Sequence, residues 1–346
     1  MVLSRNVLVV SVGVLSLLGS LQAGRRTLED TSDFAFLQPW FEVQREERQK
    51  LAQRGVVVRG LPAHDEQIGI IAVCAVAISP DAFVARVRAP GGMNGAESLG
   101  GRFDDPPVLE NLARLSLDEG DVDRLRRCRT GDCRLNLADH EISAVQQAFA
   151  TTPRGASAEV NQVFRRVVLD RVRRYKSGGL EALSEYHDRS EPVRPAVVFS
   201  EIIRQTPYLK THVPRVAAYL EGVPSVGTAG AESSLRWSRV MMNQKAVVMV
   251  SHLSIFRPEP GPRVPTVLLA GKQVYASRYM NGELSLTMLF GGAAGSSTYL
   301  VHVHRSQLDE LKGTLSGLKR ALIERRVKEE AAGALAALRN RLEHAR

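Results

Sequence analysis

From Ser233 to Arg305 the chain reads as strand after strand. The runs SSLRWSRVMM, KAVVMVSHLSIFR, VPTVLLAGKQVYASRYM, ELSLTMLF and STYLVHVHR follow one another, separated only by RPEPGPR, NG and GGAAGS. Joints this short favour antiparallel neighbours, and an Asn-Gly pair between alternating runs is the strongest short-range signal for a tight hairpin. A helix is expected next, from Ser306 to about Arg341, with Leu308, Leu311, Leu315, Leu318 and Leu322 recurring at steps of three and four. A meander of this size must cover an apolar face, and that leucine stripe is the nearest cover in sequence. The expected class is α+β: an antiparallel sheet with one long C-terminal helix laid across it, a helix-grip arrangement. Gly313 and Gly317 weaken that helix, so a close approach of helix to sheet, or of a ligand, is expected there.

The earlier chain is mostly helical. A helix is expected from Pro39 to about Gln53, stopped by Gly55, then a short strand VVVRGL and a longer, almost wholly apolar strand at 66–79. Ser79 and Pro80 are placed to cap and open the helix PDAFVARVRA. Residues 90–107 form a Gly- and Pro-rich loop, and helical patterns fill 107–222, a large insertion after the first strand and a candidate lid lobe. Within it Val160, Phe164, Val167, Val168 and Val172 share one helical stripe. The expected organisation is thus a leader at 1–23, an N-terminal arm at 24–64 and one domain at 65–346.

The leader reading rests on Arg5 followed by an uncharged apolar run from Val7 to about Leu21, the layout of an export signal. Retention as an uncleaved anchor is the alternative. An exported protein, periplasmic or secreted, gives meaning to CRTGDC, where a Thr-Gly-Asp turn lets Cys128 and Cys133 meet in a short-loop disulfide. Formal net charge is +9, but the basic residues are scattered among acids, with no basic block carrying interleaved aromatics. Nucleic acid is therefore not an expected partner; weak contact with an anionic membrane surface is.

Several stretches carry a resemblance. The order of elements over 66–87 and 233–341 is similar to the START-like, or helix-grip, superfamily of lipid and hydrophobic-ligand binding proteins. CRTGDCRLNL, YLEGVPSV, KQVYASRY and YLVHVHRSQLDELKGTLSGLKR resemble an uncharacterised family of exported bacterial proteins. The resemblance implies a START-like fold and no established reaction.

Candidate site residues follow from strand alternation. Tyr275, Ser277 and Tyr279 are expected on one face with Gln273, and tyrosine suits a pocket wall because it joins an apolar ring to a polar tip. His252 and Arg305 are added as polar groups on neighbouring strands. His302 and His304 share a face, but a metal needs a third ligand that nothing in the spacing supplies, so no metal and no other cofactor is expected. No nucleophile elbow, phosphate loop or dinucleotide fingerprint occurs, and no catalytic residue is assigned. The expected function is binding of a hydrophobic or amphipathic small molecule, such as a lipid, between sheet and C-terminal helix. The alternatives are a hydrolase- or cyclase-type enzyme using the same cavity, and a structural envelope protein without a ligand.

Overall fold

The computed structural model describes residues 31–64, 66–89, 99–151, 156–222, 231–261, 264–291, 298–311 and 316–344. They all belong to one compact unit, Thr31–Arg346; the expected leader falls in the other, Met1–Asp30, outside the described residues. The first half of the glycine-rich loop at 90–107, residues 90–98, together with Gly313 and Leu315, also lies outside them.

The fold is α+β. Eight strands form one sheet in the order β1-β2-β8-β7-β6-β5-β4-β3, every neighbouring pair antiparallel. The strands are β1 (Val56–Leu61), β2 (Gln67–Val76), β3 (Leu99–Arg102), β4 (Glu232–Met242), β5 (Lys245–Phe256), β6 (Val267–Ala276), β7 (Met280–Phe290) and β8 (Thr298–Leu308). Strand β3, LGGR, falls within the stretch expected to be a loop. Its two glycines carry no strand signal, but they let β4 come close: a Cβ on Gly100 would stand 2.6 Å from the Trp237 carbonyl oxygen. The expected first strand, nearly apolar throughout, is β2, buried on both faces between β1 and β8.

One face of the sheet is covered by the helices of 107–222: α3 (Glu119–Arg126), α4 (Asp139–Thr151), α5 (Ala156–Gly178), α6 (Pro195–Arg204), α7 (Pro207–His212) and α8 (Pro214–Glu221). The α5 stripe Val160, Phe164, Val167, Val168 and Val172 is buried as its periodicity requires. These helices share one continuous apolar core with Ile71, Val73, Leu268, Leu286, Val301 and Val303 of the sheet.

The opposite face meets α2 (Pro80–Arg88), capped by the Ser79 hydroxyl accepting from Ala82 N, and α9 (Ser316–His344). Two expectations for the last helix are corrected here. It begins at Ser316 rather than Ser306, because β8 runs on to Leu308 and a 3-10 turn, Asp309–Leu311, follows. It also packs along β1 and β2 with a different stripe: Ile323, Val327 and Ala331 lie against Ile68 and Ile70, and Leu335, Leu338 and Leu342 belong to one apolar cluster with Ala72, Cys74, Phe83, Val84, Leu289 and Leu300. Leu318 and Leu322 are 62% and 53% exposed, and nothing comes within 4 Å of a Cβ on Gly317. The continuous leucine periodicity across 308–322 spans three kinds of backbone, so it is not one helical face.

The first helix is also shorter than the expected Pro39 to about Gln53. Helix α1 (Arg45–Ala52) starts six residues after Pro39, where Glu47 reaches back to accept from Gln44 N at 2.8 Å. The segment before it uses Phe36, Leu37, Phe41 and Val43 to join the core of the helical face.

Candidate functional site

The hairpin that suggested a pocket wall is built differently from its expected form. Strand β6 ends at Ala276 and β7 begins at Met280, so the turn is Ser277-Arg278-Tyr279, with Tyr279 in the left-handed region at φ 67°. Asn281-Gly282 lies inside β7, where the register against β8 shifts, so it forms a bulge and not the turn. Gly282 is needed there for proximity: a Cβ would stand 2.6 Å from Val198 Cγ1 of α6.

A second register shift, at Val250/Ser251 against β6, falls between Gln273 and Tyr275 and takes those two off a common face, while Ser277 and Tyr279 leave the strand for the turn. Tyr275 is wholly buried on the helical face, its ring 6.3 Å from that of Tyr186 and 5.1 Å from the Arg171 guanidinium. Burial raises its pKa well above the usual tyrosine value. Ser277 Oγ accepts from Val248 N at 3.0 Å and pins the turn to β5. Tyr279 lines a polar cleft of about 550 Å³ beside the disulfide loop, with Arg134, Asp188, Arg189 and Asp309. The expected disulfide is present, joining Cys128 to Cys133.

His252 is buried elsewhere. Its Nδ1 is 2.8 Å from the Tyr175 hydroxyl and its Nε2 is 3.3 Å from that of Tyr219. Beside it Lys272 Nζ donates to the Leu220 carbonyl oxygen at 2.8 Å and lies 5.0 Å from the Tyr175 ring centroid. Burial, reinforced by Lys272, holds the His252 pKa down at about 3, so its imidazole is neutral. His252, Tyr275 and Arg305 therefore do not surround one void.

Arg305 does face an open space. A cleft of about 440 Å³ lies on the helical side of the sheet, between the N-terminal arm (Leu37, Trp40, Phe41), the turn after β1 (Leu61–His64) and the α6–α7 junction (Gln205, Tyr208). Its floor is Ile71 of β2 with Val303 and Arg305 of β8. Alternation along β8 aims Val301, Val303 and Arg305 at this face. Across the ladder Arg305 pairs with Gly69, and a Cβ there would stand 2.9 Å from Arg305 Nη1, so that glycine makes room for the guanidinium.

Arg305 as a whole is 4% exposed. Nη1 donates to the Pro62 carbonyl oxygen at 2.9 Å and to Gln205 Oε1 at 3.1 Å, and Gln205 in turn donates to Gln67. The Tyr208 hydroxyl stands beside the guanidinium and interacts with it, while Arg305 Nε has no well-aligned hydrogen-bond partner among the described residues. Among the described residues no carboxylate pairs with Arg305. Burial lowers its pKa from the usual arginine value, with the Tyr208 hydroxyl acting the other way. The result is a cation with unused donor capacity at the base of a mostly apolar cleft.

Of the sequence-derived candidates, only Arg305 belongs to this cleft. Trp40, Tyr208, Gln205 and Gly69 were not anticipated. They come from three separate segments, and no spacing rule links them. Trp40 is 40% exposed at the cleft, an unusual position for a large aromatic side chain. Among the described residues no group of three His, Cys, Asp or Glu side chains is placed to hold a metal ion, and no helix is long and apolar enough to cross a membrane. Comparison with protein-family models, with curated proteins and with solved structures finds no match.

Proposed function

We propose that the protein binds an amphipathic small molecule with an anionic head, such as a long-chain carboxylate, in the cleft over Arg305. One observation carries this reading: Arg305 is buried without a counter-charge under apolar walls. A buried charge of this kind is costly unless paired, and an anion that enters the cleft supplies the pair. Guanidinium suits the task because its planar donors match a carboxylate or phosphate edge. The apolar body of the ligand would lie along Trp40, Phe41, Leu61 and Tyr208, at roughly 25 cal/mol for each Å² removed from water.

The space under the C-terminal half of α9 is less suited to a ligand, since Leu335, Leu338 and Leu342 occupy it. The antiparallel sheet and long terminal helix are compatible with a START-like relation, with the ligand on the face opposite that helix. The Cys128–Cys133 disulfide supports placement in an oxidising compartment, hence export.

Native mass spectrometry of the purified full chain tests the reading. A co-purifying amphipathic acid, lost in Arg305→Met and retained in a surface variant such as Val197→Thr, is the expected result. The same adducts on both variants would move the ligand elsewhere.

A further inference from the structure

The sheet face opposite the Arg305 cleft carries a second polar group that contributes nothing to that cleft. On β7 it comprises Glu283, Ser285 and Thr287; on β8, His302, His304 and Ser306. In the ladder Thr287 faces His302, Ser285 faces His304 and Glu283 faces Ser306. All six share the side of Leu289 and Leu300, whose apolar cluster includes leucines of α9, as strand alternation requires.

The register extends this group into rows. One runs Ile255–Leu269–Thr287–His302–Ala72, the next Leu253–Gly271–Ser285–His304–Ile70. Each row is apolar at both ends and polar in the middle. Gly271 lets Ser285 and Leu253 close in over the β6 backbone: a Cβ there would lie 2.5 Å from Ser285 Oγ and 3.4 Å from Leu253 Cδ2. Helix α9 covers only the β2 end, through Ile323 and Val327 on Ile68 and Ile70. The remainder is a half-buried basin in which Leu253, Ile255, Ser285, His302 and His304 keep partial contact with solvent.

The hydrogen bonds leave capacity pointing into that basin. His304 is held at both nitrogens, Nε2 3.2 Å from Ser306 Oγ and Nδ1 3.5 Å from Glu283 Oε1. His302 Nδ1 is 3.0 Å from Thr287 Oγ1, and no described residue bonds its Nε2. Glu283, 18% exposed at its side chain, has no Lys or Arg partner among the described residues. The charges of neighbouring elements are committed elsewhere. Lys272 of β6 faces Tyr175 and Phe199 on the other side; Arg320 donates to the Gln67 and His64 carbonyls. Lys328 pairs with Glu324 above Gly60, and Arg326 reaches Glu330 and Asn243. From β2, β5 and β6 only uncharged side chains face the group: Ile68, Ile70 and Ala72, Ser251, Leu253 and Ile255, and Leu269 and Gln273.

We propose that this basin is a binding site for a protonated organic amine, its ammonium seated on Glu283 and its apolar part against Leu253 and Ile255. It mirrors the Arg305 cleft in charge and does not depend on it. Desolvation raises Glu283 to about 7 and holds His302 and His304 down at about 4. Near neutral pH the imidazoles are then uncharged acceptors, and an incoming cation has only the carboxylate to engage.

Titration of the full chain with benzylammonium, followed by the imidazole ¹⁵N signals and by calorimetry, tests the site. Affinity should rise about tenfold from pH 6 to pH 8 as Glu283 ionises, while benzyl alcohol, which lacks the charge, should leave the signals unmoved. Glu283→Gln should weaken binding at least tenfold, and Arg305→Met should not. The wild-type pH series stands even if Glu283→Gln proves poorly folded. Absence of benzylammonium binding at millimolar concentration and pH 8, a pH-independent affinity, or equal shifts from the alcohol would each overturn the proposal.

Discussion

Arg171 Nη2 donates to Glu141 Oε2 across 2.6 Å, and both side chains are almost completely excluded from solvent. The guanidinium also lies 4.9 Å from the Tyr186 ring and 5.1 Å from that of Tyr275, so one ion pair joins α4, α5 and β6. Glu141 further accepts from Ala138 N at 2.7 Å, closing the start of α4. Removing one partner leaves the other charge buried and unpaired, at a cost of roughly 3–5 kcal/mol. Glu141→Leu should therefore destabilise strongly in urea unfolding, and Arg171→Met added to it should restore part of the loss. A double variant no more stable than the single would show that the pair contributes through packing alone.

The stability of the fold should depend on pH with two opposed signs. His252, His302 and His304 are held by burial at about 3, 4 and 4, below their unfolded value near 6.5. Their contribution is complete above pH 6.5 and is lost as the pH falls toward 4, because the unfolded chain takes up protons that the fold refuses. Glu283 behaves in reverse. Raised to about 7 against 4.5, it contributes fully below pH 4.5 and loses that contribution as the pH rises through 7. Glu283→Gln should gain on the wild type between pH 5 and pH 8 by up to about 3 kcal/mol. A constant difference across that range in denaturant titrations would contradict the buried-carboxyl assignment.

The bulge at Gly282 supplies a packing test. Val198 Cγ1 would be 2.6 Å from a Cβ on that glycine and Ile202 Cδ1 3.3 Å, so Gly282→Ala must displace α6 from β7. Overpacking of this kind costs about 1–3 kcal/mol. Val198→Ala in the Gly282→Ala background should recover stability, although alone it should destabilise. Simple additivity of the two changes would show that α6 does not sit on the bulge.

That same bulge explains where sequence and structure part. The meander, its antiparallel order and most strand positions are legible because apolar alternation and turn chemistry are local signals. Asn281-Gly282 has the composition of a hairpin turn, yet its glycine is demanded by Val198, eighty-odd residues away in sequence, and the true turn at Ser277–Tyr279 has no glycine at all. Alternation placed Tyr275 correctly on a strand but could not foresee the shift at Val250/Ser251 that turns it into the helical core. The leucines at 308–322 mislead for a related reason, since periodicity cannot show where backbone type changes. Arg305 enters the candidates only as a polar group on a neighbouring strand, without any local signal of its cleft. Trp40, Tyr208 and Gly69 do not enter at all, since only tertiary contact makes them neighbours.

The central claim is that Arg305 selects an anionic head at the base of an apolar cleft. Calorimetric titration of the delipidated full chain with dodecanoate and with dodecanol tests it most directly. Dodecanoate should bind at least tenfold more tightly than dodecanol, and Arg305→Met should abolish that preference while leaving the weaker alcohol binding in place. Equal affinity for acid and alcohol in the wild type, or a preference that survives Arg305→Met, would contradict it.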